Sequence, residues 1–151
     1  MPHLHQGLDR VLDYSQYEIE LGERFCLQWS PFSSGGRALY YWFYPNFMIN
    51  IYPQAMDTNL VIPRSPDCTD VVFDFYFCDV SDAARARNLS SIEVSEGIQN
   101  EDVAICRSVQ RGLASRAYDS GRLSVRREGG EHLFHRLLHA DLSAGLRQEF
   151  T

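Results

Sequence analysis

Residues 38–53 constrain the fold more than any other part of the chain, because they read ALYYWFYPNFMINIYP and are almost wholly aromatic, β-branched or long and apolar. Such residues favour strands, and Pro45 interrupts the run because proline cannot donate to a β-ladder. The run therefore predicts two strands or one bulged strand. Further strands are predicted by stretches of alternating or strand-forming residues at 17–21, 24–30, 57–63 and 69–80. We expect roughly five or six antiparallel strands in this half of the chain.

The pattern changes after the last of these strands. Residues 81–117 are rich in helix formers and are amphipathic over 98–113, which predicts a long helix. Residues 131–146 predict a second helix after an irregular segment at 118–130, and a short helix is predicted over 6–14. Strands followed by helices predict the α+β class, with a curved antiparallel sheet holding one long helix.

Composition limits the classes of function. The net charge is −6, which disfavours a nucleic-acid surface because such a surface needs a basic stripe. The sequence contains neither a signal-peptide pattern nor an apolar run long enough to span a membrane. Four cysteines lie outside any C-x-x-C or C-x-H pair, which disfavours a zinc or iron–sulfur site: Cys26, Cys68, Cys78 and Cys106. We expect a cytoplasmic single domain without nucleic-acid or membrane partners.

Asp102 is the most informative residue of the long helix. At about 100° per residue it shares one stripe with Cys106, Val109 and Leu113. Its side chain therefore points in the direction of apolar neighbours, and burying an unpaired carboxylate costs roughly several kcal/mol or more. Two interpretations stay open. Asn100 caps a helix whose first turn contains Asp102, or an arginine, a proton or a metal neutralises the carboxylate.

Two other sets of side chains have the chemistry of a site. Three histidines on the last predicted helix have the spacing i, i+3 and i+7, and such a face can chelate a metal: His132, His135 and His139. Four aromatic side chains of the strand region have rings that would suit a quaternary ammonium ion: Tyr40, Trp42, Tyr44 and Tyr52. We favour packing and surface roles for both sets, because three ligands from one helix rarely surround a metal and strand aromatics usually form core.

Several segments resemble the Rieske-type (aromatic-ring-hydroxylating) non-haem iron oxygenase α subunits, in the choline and carnitine monooxygenase-like branch. The most specific are IQNEDVAICRSVQRGL (98–113) and GRLSVRREGGEHLFHRLL (121–138). Less specific matches are HLHQGLDRVLDY (3–14), WFYPNFMINIYP (42–53) and VIPRSPDCTDVVFDFYF (61–77). The resemblance implies a helix-grip (START/Bet v1-like) fold, present over residues 1–151 as a partial catalytic domain that is truncated at its N-terminus and lacks the Rieske domain.

The resemblance also implies a mononuclear Fe(II) held by two histidines and one carboxylate. By motif, Asp102 corresponds to the carboxylate and His5 to the second histidine of a Y-H-x-P-x-x-H type motif, whereas the first histidine would fall before Met1. Glu101 is the rival carboxylate, although it projects about 100° away from the stripe. His3 is the rival for the first histidine. The motifs assign no further catalytic residue and no substrate-binding residue.

The activity implied by the resemblance is an O2-dependent hydroxylation or demethylation of a small organic substrate. The electrons come from a reductase through a Rieske cluster, and the family forms trimers. Because this sequence contains no ligands for an iron–sulfur cluster, we expect the domain to be incomplete or inactive alone. The alternatives are a non-catalytic helix-grip module that binds a small ligand and a folded remnant without function.

Overall fold

The computed structural model describes residues 18–31 and 35–149. In this part of the chain six strands precede two helices. The elements are β1 (Glu18–Leu21), β2 (Phe25–Pro31), β3 (Arg37–Phe43), β4 (Phe47–Ile51), β5 (Ala55–Ser65), β6 (Cys68–Phe77), α1 (Asp82–Leu113) and α2 (Gly129–Glu149). The strands form one open antiparallel sheet in sequential order, from β1 to β6. The predicted α+β class and the predicted order of strands before helices are confirmed.

The predicted strands are present with shifted bounds. Pro45 lies in the turn between β3 and β4, so the interpretation of residues 38–53 as two strands is correct. Strand β5 is longer than predicted because its pairing with β6 continues as far as Ser65 opposite Cys68. A register irregularity between Pro63 and Ser65 accompanies the proline in this strand. The helix predicted over 6–14 lies outside the described residues.

The two faces of the sheet differ in burial. The inner face, defined by the row Tyr40, Asn50, Asp57 and Phe75, is the side on which the helices lie. It carries the strand residues that are buried in the described structure, namely Cys26, Ser30, Ala38, Asp57 and Asn59. The opposite face carries a layer of aromatic contacts in which the Tyr41 and Phe43 rings stack with centroids 5.8 Å apart.

Helix α2 is attached to the inner face by contacts with β1, by an aromatic side chain and by an ion pair. The Phe134 ring meets the Trp42 ring edge to face, with centroids 5.7 Å apart. Arg24 lies over the Tyr44 ring at 4.6 Å and pairs with Asp141 at 3.2 Å. These contacts attach the second helix to the ends of β2 and β3.

Asp79 organises the start of helix α1. Its Oδ1 accepts a hydrogen bond from the Ser81 backbone N–H at 3.0 Å, and Asn88 Nδ2 donates to the Asp79 carbonyl at 2.8 Å. The hydrogen bonds from Ser81 hold the pKa of the Asp79 carboxyl below its usual value, and Arg87 at 3.7 Å adds to this effect. The helix then continues unbroken through position 100, so the interpretation in which Asn100 caps a helix start is wrong.

The continuity of α1 has a simple physical origin. The segment before position 100 contains alanine, arginine and leucine, which favour helix, and its one glycine is not enough to stop the helix. Within the described residues, neither helix combines the length and the apolar character that crossing a lipid bilayer requires.

Candidate functional site

Asp102 lies on the second half of α1, where the structure leaves it exposed. Its apolar neighbours on the same side are also exposed, to 53% for Ile98, 61% for Ile105 and 53% for Val109. The expectation that Asp102 is buried among apolar side chains is therefore wrong for the described structure. The reason is that strand residues line cavities with the helix only as far as Asn100, so the amphipathic stripe beyond it has no cover from the described residues.

Only part of the iron site that the family resemblance implies lies within the described residues. Carboxylate and imidazole are suitable donors for Fe(II), but His5 lies outside the described residues, as does His3. Over residues 18–31 and 35–149, no group of three or more histidine, cysteine, aspartate or glutamate side chains is arranged to hold a metal ion. The described residues supply at most one ligand, Asp102, and do not by themselves fit an iron centre. The assignment of His5 and Asp102 as a ligand pair stays a prediction.

The three histidines of the last helix occupy the predicted positions on α2. His132, His135 and His139 are all exposed. The His135 ring contacts Phe134, with centroids 5.9 Å apart. They are not part of a metal-binding group in the described structure.

A cavity of about 710 Å³ opens between the first half of α1 and strands β5 and β6. Its volume is within the range of small-molecule sites, roughly 300–1,000 Å³. The walls are mostly apolar, and its principal side chains are Tyr52, Asp57, Phe75 and Phe77 from the sheet side and Val94 and Ile98 from the helix. Ile98 lies one helical turn before Asp102, so the cavity and the predicted iron ligand share one helix.

Asp57 is a buried carboxylate in the wall of this cavity, with only 8% of its surface exposed. Asn50 Nδ2 donates to Asp57 Oδ1 at 2.8 Å from the neighbouring strand. Asn59 Nδ2 donates to the same oxygen at 3.0 Å from two residues further along β5. The Oδ1 atom of Asn59 in turn accepts from Asn50 at 3.2 Å. The three side chains therefore form a closed polar network on the inner face.

Tyr52 extends the network into the cavity. Burial is the main cause that raises the pKa of its phenol well above the usual value, followed by the charge of Asp57, the neighbouring Tyr40 and a hydrogen bond with Asp57. The phenol therefore remains protonated at neutral pH and can donate to the carboxylate. The Tyr40 ring meets the Tyr52 ring edge to face at 6.1 Å.

The four aromatic candidates of the sequence divide between two locations. Tyr52 lines the cavity, with Tyr40 against it. Trp42 and Tyr44 instead contact Phe134 of α2, with centroid distances of 5.7 and 6.2 Å. Sequence reasoning missed Asp57, Phe75 and Phe77. The available signal was an aspartate and an asparagine at i and i+2 in a strand whose partner strand carries a second amide side chain.

Comparison with known proteins gives consistent matches. The family model of the ring hydroxylating alpha subunit (catalytic domain) matches residues 4–144. The chloroplastic choline monooxygenase of Arabidopsis thaliana is 44% identical, with 94% of this chain and 36% of that protein covered. The enzyme of the same name from Amaranthus tricolor is 34% identical, covering 95% and 34% respectively. This chain thus spans about a third of the length of these relatives.

A solved structure has the same architecture. It is a crystal structure of the quaternary ammonium Rieske monooxygenase CntA in complex with an inhibitor, which superposes with a TM-score of 0.75 at 26% identity. The match covers 89% of this chain and 40% of that chain. The expected α+β sheet-and-helix fold of an oxygenase catalytic domain is therefore confirmed, as a part of that domain.

Proposed function

Because this chain belongs to the ring-hydroxylating alpha subunit family and is a Rieske-type oxygenase-related domain, we propose that it forms part of the catalytic domain of an iron-dependent monooxygenase. The observation that carries the proposal is the 710 Å³ cavity directly beneath the helix that bears Asp102. A small organic molecule in this cavity would lie within reach of the helix segment to which the family motif assigns the metal ligand. The alternative of a non-catalytic binding module is not favoured by the matches.

The proposed substrate is a small organic cation of the quaternary ammonium class. Relatives of this chain are named for choline and for quaternary ammonium compounds. The cavity supports the proposal because it offers aromatic rings, which attract cations, and apolar walls, which suit methyl groups.

The iron centre belongs to the same proposal. His5 and Asp102 would each contribute one ligand, and a mononuclear iron, when bound, would supply the activation of dioxygen. The sequence has no C-x-H or C-x-x-H pair for an iron–sulfur cluster, so we propose that electrons come from a Rieske cluster outside these residues. Homo-oligomerisation and a reductase partner, as in the family, are part of this proposal.

The residues of the chain have their own tasks in this scheme. Val94 and Ile98 line one side of the cavity with apolar surface. Phe75 and Phe77 form the opposite wall. Tyr52, whose phenol hydrogen-bonds with Asp57, lies at the polar end of the cavity.

An anaerobic titration with Fe(II) tests the proposed metal site. The full chain is equilibrated with Fe(II) and dialysed, and iron per chain is measured colorimetrically for the wild type, Asp102→Ala and His5→Ala. We expect each substitution to weaken iron binding by more than about tenfold, because each would remove a ligand and losing even a hydrogen-bond partner of a ligand typically costs about ten- to a hundredfold. Glu101→Ala is the matched control, because it removes the adjacent carboxylate of the same helix. Equal iron binding in Asp102→Ala and the wild type, or no binding by the wild type, would overturn the proposal.

A further inference from the structure

The charge of Asp57 has no compensating cation in the part of the chain that the structure describes. Three ion pairs of that part are Arg24 with Asp141, Arg64 with Asp70 and Arg87 with Asp79, and none of them involves Asp57. The partners of Asp57 are instead neutral amides and a phenol. Neutral donors reduce the cost of burying a carboxylate, but they leave its charge in place.

Both amide donors hold the carboxylate in one orientation. Asn50 Nδ2 and Asn59 Nδ2 reach the same atom, Oδ1 of Asp57, at 2.8 and 3.0 Å. Asn50 comes from β4 and Asn59 from β5, so the position of the carboxylate is fixed by two strands of a sheet rather than by a loop. A charged group held in this way is preorganised for a ligand, because little ordering remains to be done when the ligand binds.

Aromatic rings surround the same end of the cavity. Phe75 stands directly opposite Asp57 in the register of β5 with β6, and Phe77 follows two residues later on the same face. Tyr52 contributes a third ring. An aromatic face attracts a cation through its quadrupole, and a nearby carboxylate adds a direct Coulomb attraction that is stronger where water is excluded.

We propose that Asp57 is the anionic anchor of a cation subsite, which binds the ammonium head group of a small organic cation in this cavity. The carboxylate makes the site prefer a cation over a neutral molecule of the same shape, and the rings of Phe75 and Tyr52 enclose the methyl groups. The inference rests on the proposed function in taking this cavity as the substrate site, and it adds the residue that determines specificity.

A pair of isosteric probes tests the role of charge. Choline is compared with its carbon isostere, in which a tert-butyl group replaces the trimethylammonium group, by calorimetric titration of the full chain. We expect the wild type to bind choline at least about tenfold more tightly than the isostere, as cation–π and carboxylate contacts together would give. In Asp57→Asn this preference should fall to about twofold or less, while affinity for the isostere changes little.

Two further variants keep the test decisive. Asp74→Asn is the matched control, because Asp74 lies on β6 opposite Thr58, on the exposed face of the sheet. It should keep the wild-type preference. Phe75→Leu retains apolar surface but removes a ring, and should lower the preference for choline without abolishing binding of the isostere. If circular dichroism shows that Asp57→Asn is unfolded, the result for Phe75→Leu decides the test.

The outcomes separate this inference from the proposed function. The inference is overturned if the wild type binds neither probe, if it binds both equally, or if folded Asp57→Asn retains the preference. A cation preference that depends on Asp57, together with iron binding that ignores Asp102, supports the subsite and overturns the proposed metal site. Iron binding that depends on Asp102, without any preference for the cation, supports the proposed metal site and overturns the cation subsite.

Discussion

Asn50 on β4 donates its side-chain amide to Asp57 on β5 at 2.8 Å, and the two residues are direct partners in the β4–β5 ladder. The pair lies on the inner face, where Asp57 is almost fully buried. A buried acceptor that loses its donor pays the cost of desolvation without compensation. The hydrogen bond therefore stabilises the sheet and also holds the carboxylate at the polar end of the cavity.

Asn50→Leu should destabilise the protein by about 1–3 kcal/mol, because it leaves the Asp57 carboxylate with one amide donor fewer. The double variant Asn50→Leu with Asp57→Leu should recover much of this loss, since replacing both partners by apolar groups of similar size can be nearly neutral. Urea unfolding of the wild type, both single variants and the double variant measures the coupling. Additive losses in the double variant would show that the hydrogen bond is not the source of the effect.

The lowered pKa of Asp79 predicts that the protein loses stability in acid. Hydrogen bonds from Ser81, assisted by Arg87, depress the pKa of its carboxyl in the folded state. A depressed pKa contributes stability that is present above the unfolded value, about 3.9 for aspartate, and is lost as the pH falls through the folded value. In Asp79→Asn the free energy of unfolding should therefore decline less steeply between neutral pH and pH values below about 4.

The acid prediction is measured by urea unfolding across that range of pH. Asp74→Asn is the control, because it removes an exposed carboxylate of the sheet rather than one at the start of α1. The expected result is a smaller slope for Asp79→Asn alone. Identical slopes for both variants would contradict the role of Asp79 at the helix start.

The raised pKa of Tyr52 predicts that its phenol ionises late in an alkaline titration. Burial, followed by the charge of Asp57, raises the pKa of its phenol. A raised pKa contributes stability that is fully present below the unfolded value, about 10 for tyrosine, and is lost as the pH rises through the folded value. Of the 8 tyrosines in the chain, Tyr52 should be among the last to give the phenolate absorbance.

The variant Tyr52→Phe should remove this late step. Tyr118→Phe is the comparison, because Tyr118 is exposed and lies in the segment between the helices. The absorbance of phenolate is followed during the titration, and unfolding is followed by circular dichroism in parallel. If Tyr118→Phe removes the late step and Tyr52→Phe does not, the assignment of the buried phenol is wrong.

The sequence predicts the order of elements well, because alternation and helical periodicity are local properties of the chain. It does not predict the cavity, since that depends on which half of α1 lies over the sheet. Asp57 was missed for a related reason. A polar residue in an alternating strand is usually assigned to the solvent side, and only the register that pairs Asp57 with Asn50 shows that this side is the inner face.

The start of α1 shows that a local sequence pattern can also suggest a helix boundary that does not exist. The pattern after Asn100 has the features of a helix start, with acidic residues in a first turn, but the same residues also fit a helix interior. What decides between them is Asp79 and its contacts with Ser81 and Asn88, which start the helix much earlier. The burial of Asp102 could not be judged from periodicity, because periodicity shows which residues share a side and not what covers that side.

The attachment of helix α2 allows a final prediction that compares packing with charge. The Phe134 ring contacts both Trp42 and Tyr44, with centroids 5.7 and 6.2 Å away. Phe134→Ala should cost about 2–4 kcal/mol, because it removes these aromatic contacts and leaves space between helix and sheet. Asp141→Asn weakens an exposed ion pair with Arg24 and a hydrogen bond with Tyr44, and should cost about 1 kcal/mol or less. Thermal unfolding of the two variants should therefore rank Phe134→Ala as clearly less stable, and the reverse order would mean that charge, rather than packing, holds α2 to the sheet.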